Sequence, residues 1–198
     1  MMSESFLKGM VEKWGDVKAI VEMAKQLDLE KLKSWVKVCI ENASGDKTNR
    51  FAFLLQELVN IIGTRLGFTV SPGEWQKEGP DGIWERDDKK IVVETKATSF
   101  HLNLEKIMNY TKSRKALGAI AVSSEFSKDK IAAVKGEPAG KIRLVTIEGL
   151  TKLVELREKE VISPDSVFDI LVPQENIQLD GLIELIHGIF IAKFEVAS

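Results

Sequence analysis

Three residues are placed to do chemistry together: Asp81, which follows Pro80, and Glu94 and Lys96, with Glu94 thirteen positions after the aspartate. In an extended strand alternate side chains share a face, so Val92, Glu94 and Lys96 point one way and Val93 and Thr95 the other. The stretch Lys90-Ile91-Val92-Val93-Glu94-Thr95-Lys96 is rich in β-branched residues and otherwise reads as core. Burying a carboxylate and an ammonium among valines is costly unless something pairs them. A hairpin returning from a strand at 82–85 would bring Asp81 toward the far end of the strand at 90–96. Two carboxylates and a lysine would then converge on one sheet edge. Such a set suits hydrolysis of a phosphodiester. Carboxylates are hard oxygen ligands that favour Mg²⁺, with Mn²⁺ as a substitute, and the ion polarises a phosphoryl oxygen and acidifies a bound water. Lys96 would orient or deprotonate that water, or offset transition-state charge. The Thr95 carbonyl offers a further ligand. The plainer alternative is an exposed Glu–Lys pair on an edge strand, because Glu-x-Lys triplets arise often by chance. Placement after Pro-Asp-Gly on a hydrophobic hairpin argues against that alternative.

The elements that must hold these residues are legible from periodicity. Residues 4–43 read as helices: Val17, Ile20, Val21 and Ala24 recur at helical spacing, as do Leu32, Trp35, Val36, Cys39 and Ile40. Asp28 ahead of Leu29-Glu30-Lys31 reads as an N-cap, and 43–48 as a linker or turn. A helix over 49–66 carries Phe51, Leu54, Leu55, Leu58, Ile61 and Ile62 on its apolar side and ends at Gly67. Then follow a strand at 68–70, a turn at 71–73, strands at 82–85 and 90–96 joined by a polar turn at 87–89, and a helix at 103–115. A buried strand at 118–123, a helix near 127–135, a strand at 142–147 and a helix at 148–159 complete the order. Leu182, Leu185, Ile186 and Ile189 suggest one closing helix in the last segment. This order predicts an α/β fold, a mixed sheet flanked by helices. A small N-terminal helical segment, 1–47, precedes the main domain at 48–198.

Composition narrows the class. With 198 residues, 44% hydrophobic and 29% charged, the chain can bury a sizeable core. The apolar run 182–191 is interrupted by Glu184 and His187, so no membrane span is expected. Glu4, Lys8 and Glu12 in the first helical stretch do not form a signal peptide. One cysteine, Cys39, sits among apolar neighbours and reads as a small buried hydrophobe; a reducing, cytoplasmic setting fits. Net charge is −2 but unevenly placed. From Lys96 to Arg143 ten Lys/Arg face four Asp/Glu, and over 144–198 four face ten. A basic middle is compatible with a phosphate-facing surface, and equally with an ordinary solvated face. Residues 1–47 hold eight lysines and eight acidic residues, which favours a helical cap over a DNA-reading helix-turn-helix.

Pro80-Asp81-Gly82-Ile83-Trp84 with Val92-Val93-Glu94-Thr95-Lys96-Ala97 resembles the signature of the PD-(D/E)xK nuclease superfamily. More narrowly it is similar to cleavage domains of type IIS restriction endonucleases. Asn103-Leu104 at the next helix, Gly67-Phe68 before the first strand, and the hydrophobic strand 119–123 ending in Ser extend the resemblance over roughly residues 49–158. It implies a restriction-endonuclease-like fold that cuts double-stranded DNA with Mg²⁺, with Asp81, Glu94 and Lys96 as the catalytic set. It also implies a homodimer, or pairing with a specificity subunit. Glu57 takes the place of an acidic residue that such nucleases direct at the metal, and is as readily an ordinary surface glutamate. The helix between Asn103 and Gly118 is shorter than in those domains, and residues 159–198 have no counterpart in them. Lys106, Lys112, Arg114 and Lys115 are candidates for phosphate contacts, which give salt-sensitive, sequence-independent affinity. His101 and His187 read as surface, cap or core residues. Trp84 reads as core, and Trp75 as a loop residue near DNA. Competing readings are a structure-specific repair or recombination nuclease resembling a junction resolvase, and a non-catalytic DNA-binding subunit.

Overall fold

The computed structural model describes residues 4–13, 17–74, 77–136, 141–172 and 180–194; Trp75 lies outside them. Three helices open the chain: α1 (Glu4–Lys13), α2 (Val17–Ala24) and α3 (Leu29–Ala43). Asp28 caps α3 as its position suggests, its carboxylate accepting the Lys31 amide at 2.8 Å. The turn to α4 (Arg50–Arg65) is tied down by Asp46, whose carboxylate accepts the amides of Thr48 and Phe51 at 2.8 and 2.9 Å. Gly67, with φ +98°, ends this helix region in a conformation that a side chain would resist.

The sheet has five strands in sequence order: β1 (Thr69–Pro72), β2 (Gly82–Arg86), β3 (Lys89–Lys96), β4 (Gly118–Ser123) and β5 (Ile142–Thr146). β1, β2 and β3 are antiparallel neighbours; β3, β4 and β5 are parallel. The expected mixed sheet is therefore present. Ser71 and Pro72, expected in a turn, belong to β1 and pair with Ile83 and Gly82. Pro is tolerated there because β1 is an edge strand with no partner on its outer side. The β2–β3 hairpin is a two-residue turn of Asp87 and Asp88, both with positive φ, as tight hairpins require. After β3 come a short 3-10 helix (Ser99–His101) and α5 (Leu104–Ser113), which crosses to β4; α6 (Lys128–Gly136) crosses to β5.

Helices cover both faces. On one, Ile91, Val93, Ile120, Val122 and Val145 share a continuous core with α1–α4 and with α7 (Ile147–Glu158) and α8 (Pro164–Leu171). On the other, Val92, Ala119, Ala121, Ile142 and Leu144 pack with Leu102, Ile107 and Val134. Every residue of β4 is buried, as expected for a parallel strand covered on both sides. The N-terminal helices join the larger core through Leu32, Trp35 and Cys39. Burial pushes the Cys39 thiol well above its ordinary range. After α7 the single expected helix is in fact two, α8 and α9 (Asp180–Phe194). Leu185 and Ile189, expected on its packed face, are exposed, and Ile183 is buried instead. The sequence of α9 is apolar on every side, so periodicity does not select the face that packs. Among the described residues no helix is long and apolar enough to cross a membrane.

Candidate active site

The site forms where the β2–β3 hairpin opens. Register pairs Gly82 with Val93, so Asp81 lies just beyond β2 beside the last residues of β3. Asp81 Oδ2 accepts the Thr95 backbone amide at 2.7 Å, which fixes the carboxylate against the strand. Val92 packs in the smaller core while Ile91 and Val93 pack in the larger. The alternation expected from the sequence is therefore present, and Glu94 and Lys96 fall on one side. Asp81, Glu94 and Lys96, expected to converge, stand together.

The Lys96 ammonium has three oxygen partners. It lies 3.0 Å from Asp81 Oδ2, 2.8 Å from Glu94 Oε1 and 3.0 Å from the Thr95 carbonyl oxygen. These three groups are the ones the sequence offers as cation ligands, and a cation, the lysine's own, sits among them. Glu94 Oε2 is buried with no hydrogen-bond partner, so the site retains acceptor capacity that the lysine does not use. The donor set is all oxygen, which suits Mg²⁺ or Mn²⁺. Among the described residues no three His, Cys, Asp or Glu side chains gather into a metal-holding cluster. An ion here would thus rely on two carboxylates, one carbonyl and water, a set that a Mg²⁺ ion accepts because it keeps several waters.

Electrostatics follow from burial. Loss of solvent raises the Asp81 carboxyl above its ordinary value, against the opposing pull of Lys96 and the Thr95 amide. Glu94 is raised by burial and by the Asp81 charge, again opposed by Lys96. Burial would lower the Lys96 ammonium, but the two carboxylates outweigh it and the net direction is upward. The lysine is thus held charged.

Asp81, Thr95 and Lys96 open onto a cleft of about 540 Å³ that His101, Asn49 and Gln56 also line. Ser44, Asp46 and Asn49 bring the α3–α4 connection to this cleft and Gln56 brings α4, so the N-terminal segment shapes the approach to the site. Glu57 does not line this cleft. It faces a neighbouring cavity between α2 and α4, is buried with Oε1 unpartnered, and its carboxyl is pushed up by burial to about 7. The Asp81 charge contributes to that rise, so the two acids sense each other without forming one donor set.

The basic residues divide. Lys106, on the first turn of α5, stacks over the Tyr110 ring at 5.5 Å and lies near enough to Glu94 and Asp81 to act on their charge. Lys112, Arg114 and Lys115 are not brought to the site. Leu117, just after them, bonds to Lys90 at the opposite end of β3, a ten-residue helix away, or roughly 15 Å. His187 pairs with Glu155 at 3.3 Å, far from any role in the cluster. Trp84 is fully buried, as expected.

One residue in contact with the site escaped the sequence reading. Asn60, buried on α4, donates through Nδ2 to the Asp81 carbonyl at 3.0 Å and accepts the Trp84 indole N–H at 3.1 Å through Oδ1. Its signal was available: an amide within the apolar run Leu58-Val59-Asn60-Ile61-Ile62 must find partners if it is buried.

No family model matches the chain, and neither does any curated protein. Among solved structures it is similar to restriction endonuclease FokI, at a TM-score of 0.54 and 12% identity. The fold is restriction-endonuclease-like. The similarity covers 76% of this chain but 33% of FokI, so the chain spans about a third of that protein's length.

Proposed function

We propose that the chain is a divalent-cation-dependent DNA endonuclease of the PD-(D/E)xK type, with Asp81, Glu94 and Lys96 as its catalytic set. The observation that carries this reading is the seat of three oxygens, Asp81 Oδ2, Glu94 Oε1 and the Thr95 carbonyl, closed around a positive charge at one end of the sheet. A structural ion pair needs one carboxylate. Here a buried and a partly buried carboxylate face one ammonium, and the buried one, Glu94, keeps an unpaired oxygen.

A Mg²⁺ or Mn²⁺ ion held by Asp81, Glu94 and the Thr95 carbonyl would neutralise phosphoryl charge and acidify a water. The chain's own residues do the rest. The Thr95 amide keeps the Asp81 carboxylate aimed at the seat. Lys96, on the cleft wall, donates to the attacking water or to the non-bridging phosphate oxygens as charge builds there. Lys106 adds positive potential at the cleft without touching the reacting atoms, and its contribution is salt-sensitive. One such site cuts one strand, so duplex cleavage calls for a homodimer or for pairing with a specificity subunit.

The test is incubation of the protein with plasmid and with branched DNA in Mg²⁺, beside Asp81→Asn. Cleavage by the wild type with a loss of at least about 10²-fold in the variant, at unchanged circular dichroism, is expected, the order that losing one group stabilising transition-state charge costs. Preference for branched over plasmid DNA would select the structure-specific repair reading. Undiminished cutting by Asp81→Asn would remove the assignment, and a wild type that binds DNA without cutting it would leave a binding subunit.

A further inference from the structure

The geometry points to Asn60 as a positioning residue for Asp81, an inference that rests on the nuclease reading for its catalytic meaning but not for its structural test. The α4 helix runs against the β2 strand at the Asp81 end. Asn60 reaches across so that Nδ2 donates to the Asp81 carbonyl at 3.0 Å while Oδ1 accepts from Trp84 Nε1 at 3.1 Å. An indole N–H only donates and a peptide carbonyl only accepts, so both contacts need one side chain that does each. At this length that is an amide. Asn60 is 4% exposed, and water does not replace either partner from bulk solvent.

The neighbouring glycine is explained by the same contact. A Cβ on Gly82 would collide with Asn60 Oδ1, so the Gly of Pro-Asp-Gly is the space that lets the amide approach. The Asp81 carbonyl also accepts the Gly73 amide at 2.9 Å. Its peptide is therefore held by the edge strand on one side and by α4 on the other. With the main chain fixed, the carboxylate has only its own rotamer left to settle, and the Thr95 amide settles it at 2.7 Å. Asn60 also lies one helical turn from Glu57. One amide thus links the core indole and the Asp81 peptide.

Residues behind a metal's own ligands typically alter affinity or activity by about 10- to 100-fold when changed. The test compares Asn60→Leu, Trp84→Phe and the double variant. Trp84→Phe removes the indole donor but keeps the Asp81 contact. The double variant replaces both members of the Asn60–Trp84 pair with apolar groups, which restores much of the stability lost on breaking one side. Three quantities are read: Mn²⁺ affinity by calorimetry, single-turnover cleavage at saturating Mg²⁺, and hydrogen exchange of the Thr95 amide, which reports the Asp81 carboxylate directly. Trp84→Phe is expected to keep Mn²⁺ affinity and Thr95 protection within about threefold of wild type. Asn60→Leu and the double variant are expected to exchange Thr95 at least about tenfold faster and to lose about 10- to 100-fold in Mn²⁺ affinity or cleavage. Wild-type protection of Thr95 in the double variant, or an equal loss in Trp84→Phe, overturns the role of Asn60. A wild type that neither binds Mn²⁺ nor cuts DNA overturns the nuclease reading instead, and the Thr95 exchange result still decides whether Asn60 positions Asp81.

Discussion

Replacing Lys96 with Met should abolish cleavage and at the same time tighten divalent-cation binding. The lysine is the cation now seated among Asp81 Oδ2, Glu94 Oε1 and the Thr95 carbonyl, at 3.0, 2.8 and 3.0 Å. Any ion entering that seat must displace it. The side chains of Asp81 and Glu94 are 12% and 8% exposed and that of Lys96 27%, so the group is more buried than a surface bridge. Removing one partner of a buried pair costs roughly 3–5 kcal/mol; partial exposure of Lys96 places the expected destabilisation of the metal-free protein near the lower figure, about 3 kcal/mol. Entry of Mn²⁺ returns part of that. If half is returned, the dissociation constant falls about tenfold. Isothermal calorimetry with Mn²⁺ measures the affinity, and denaturant titration with and without Mn²⁺ measures the linked stability. Lys106→Met is the control: it removes a positive charge that acts on both carboxylates without touching them, and its effect should stay within about threefold at physiological salt, because exposed charges are screened. Binding to Lys96→Met that is unchanged or weaker than wild type, or a gain matched by Lys106→Met, would refute the idea that the lysine and the metal share one seat.

Glu57 should make the protein lose stability as pH rises. Its carboxyl is raised by burial from 4.5 to about 7, so the folded state holds a proton that the unfolded state releases. The contribution is complete below about pH 4.5, declines between there and pH 7, and amounts to roughly 3 kcal/mol. Glu57→Gln should be more stable than wild type at pH 8 and near-equal at pH 4.5 by denaturant titration; a parallel offset at both pH values would show that the proton is not involved. Gly63→Ala should destabilise by about 1–3 kcal/mol, because the added Cβ would enter the Trp84 ring space; an unchanged denaturation midpoint would show that the Trp84–α4 contact is looser than described.

Much of the site was legible because a strand has a period of two. Given β3, Glu94 and Lys96 must share a side and Val93 must oppose them, and Pro-Asp-Gly before a hairpin places Asp81 at the same end. The mixed sheet and its flanking helices were equally legible, since 3.6- and 2-residue periods alternate clearly along the chain. Less legible was anything set by contact between distant segments. Lys112 shares α5 with Lys106, and Arg114 and Lys115 follow its end, yet α5 runs away from the site and carries them to the other end of the sheet. Glu57 and Asp81 were assigned to one metal set, but a helix and a hairpin tip meet at an angle that sequence spacing does not encode. Leu185 and Ile189 were expected inside, yet α9 is apolar all round and only its neighbours choose its buried side.

By itself, the sequence determined which side chains are chemically able to act and which strand carries them, because local backbone geometry dictates direction from residue to residue. Only the tertiary structure decided that Lys96 fills the gap between two carboxylates, that the α3–α4 turn walls the cleft, and that Asn60 holds the Asp81 peptide. Those outcomes depend on how separate elements dock. Docking is governed by shape, close packing and the need to pair every buried polar group, which are properties of surfaces brought together rather than of neighbours along a chain.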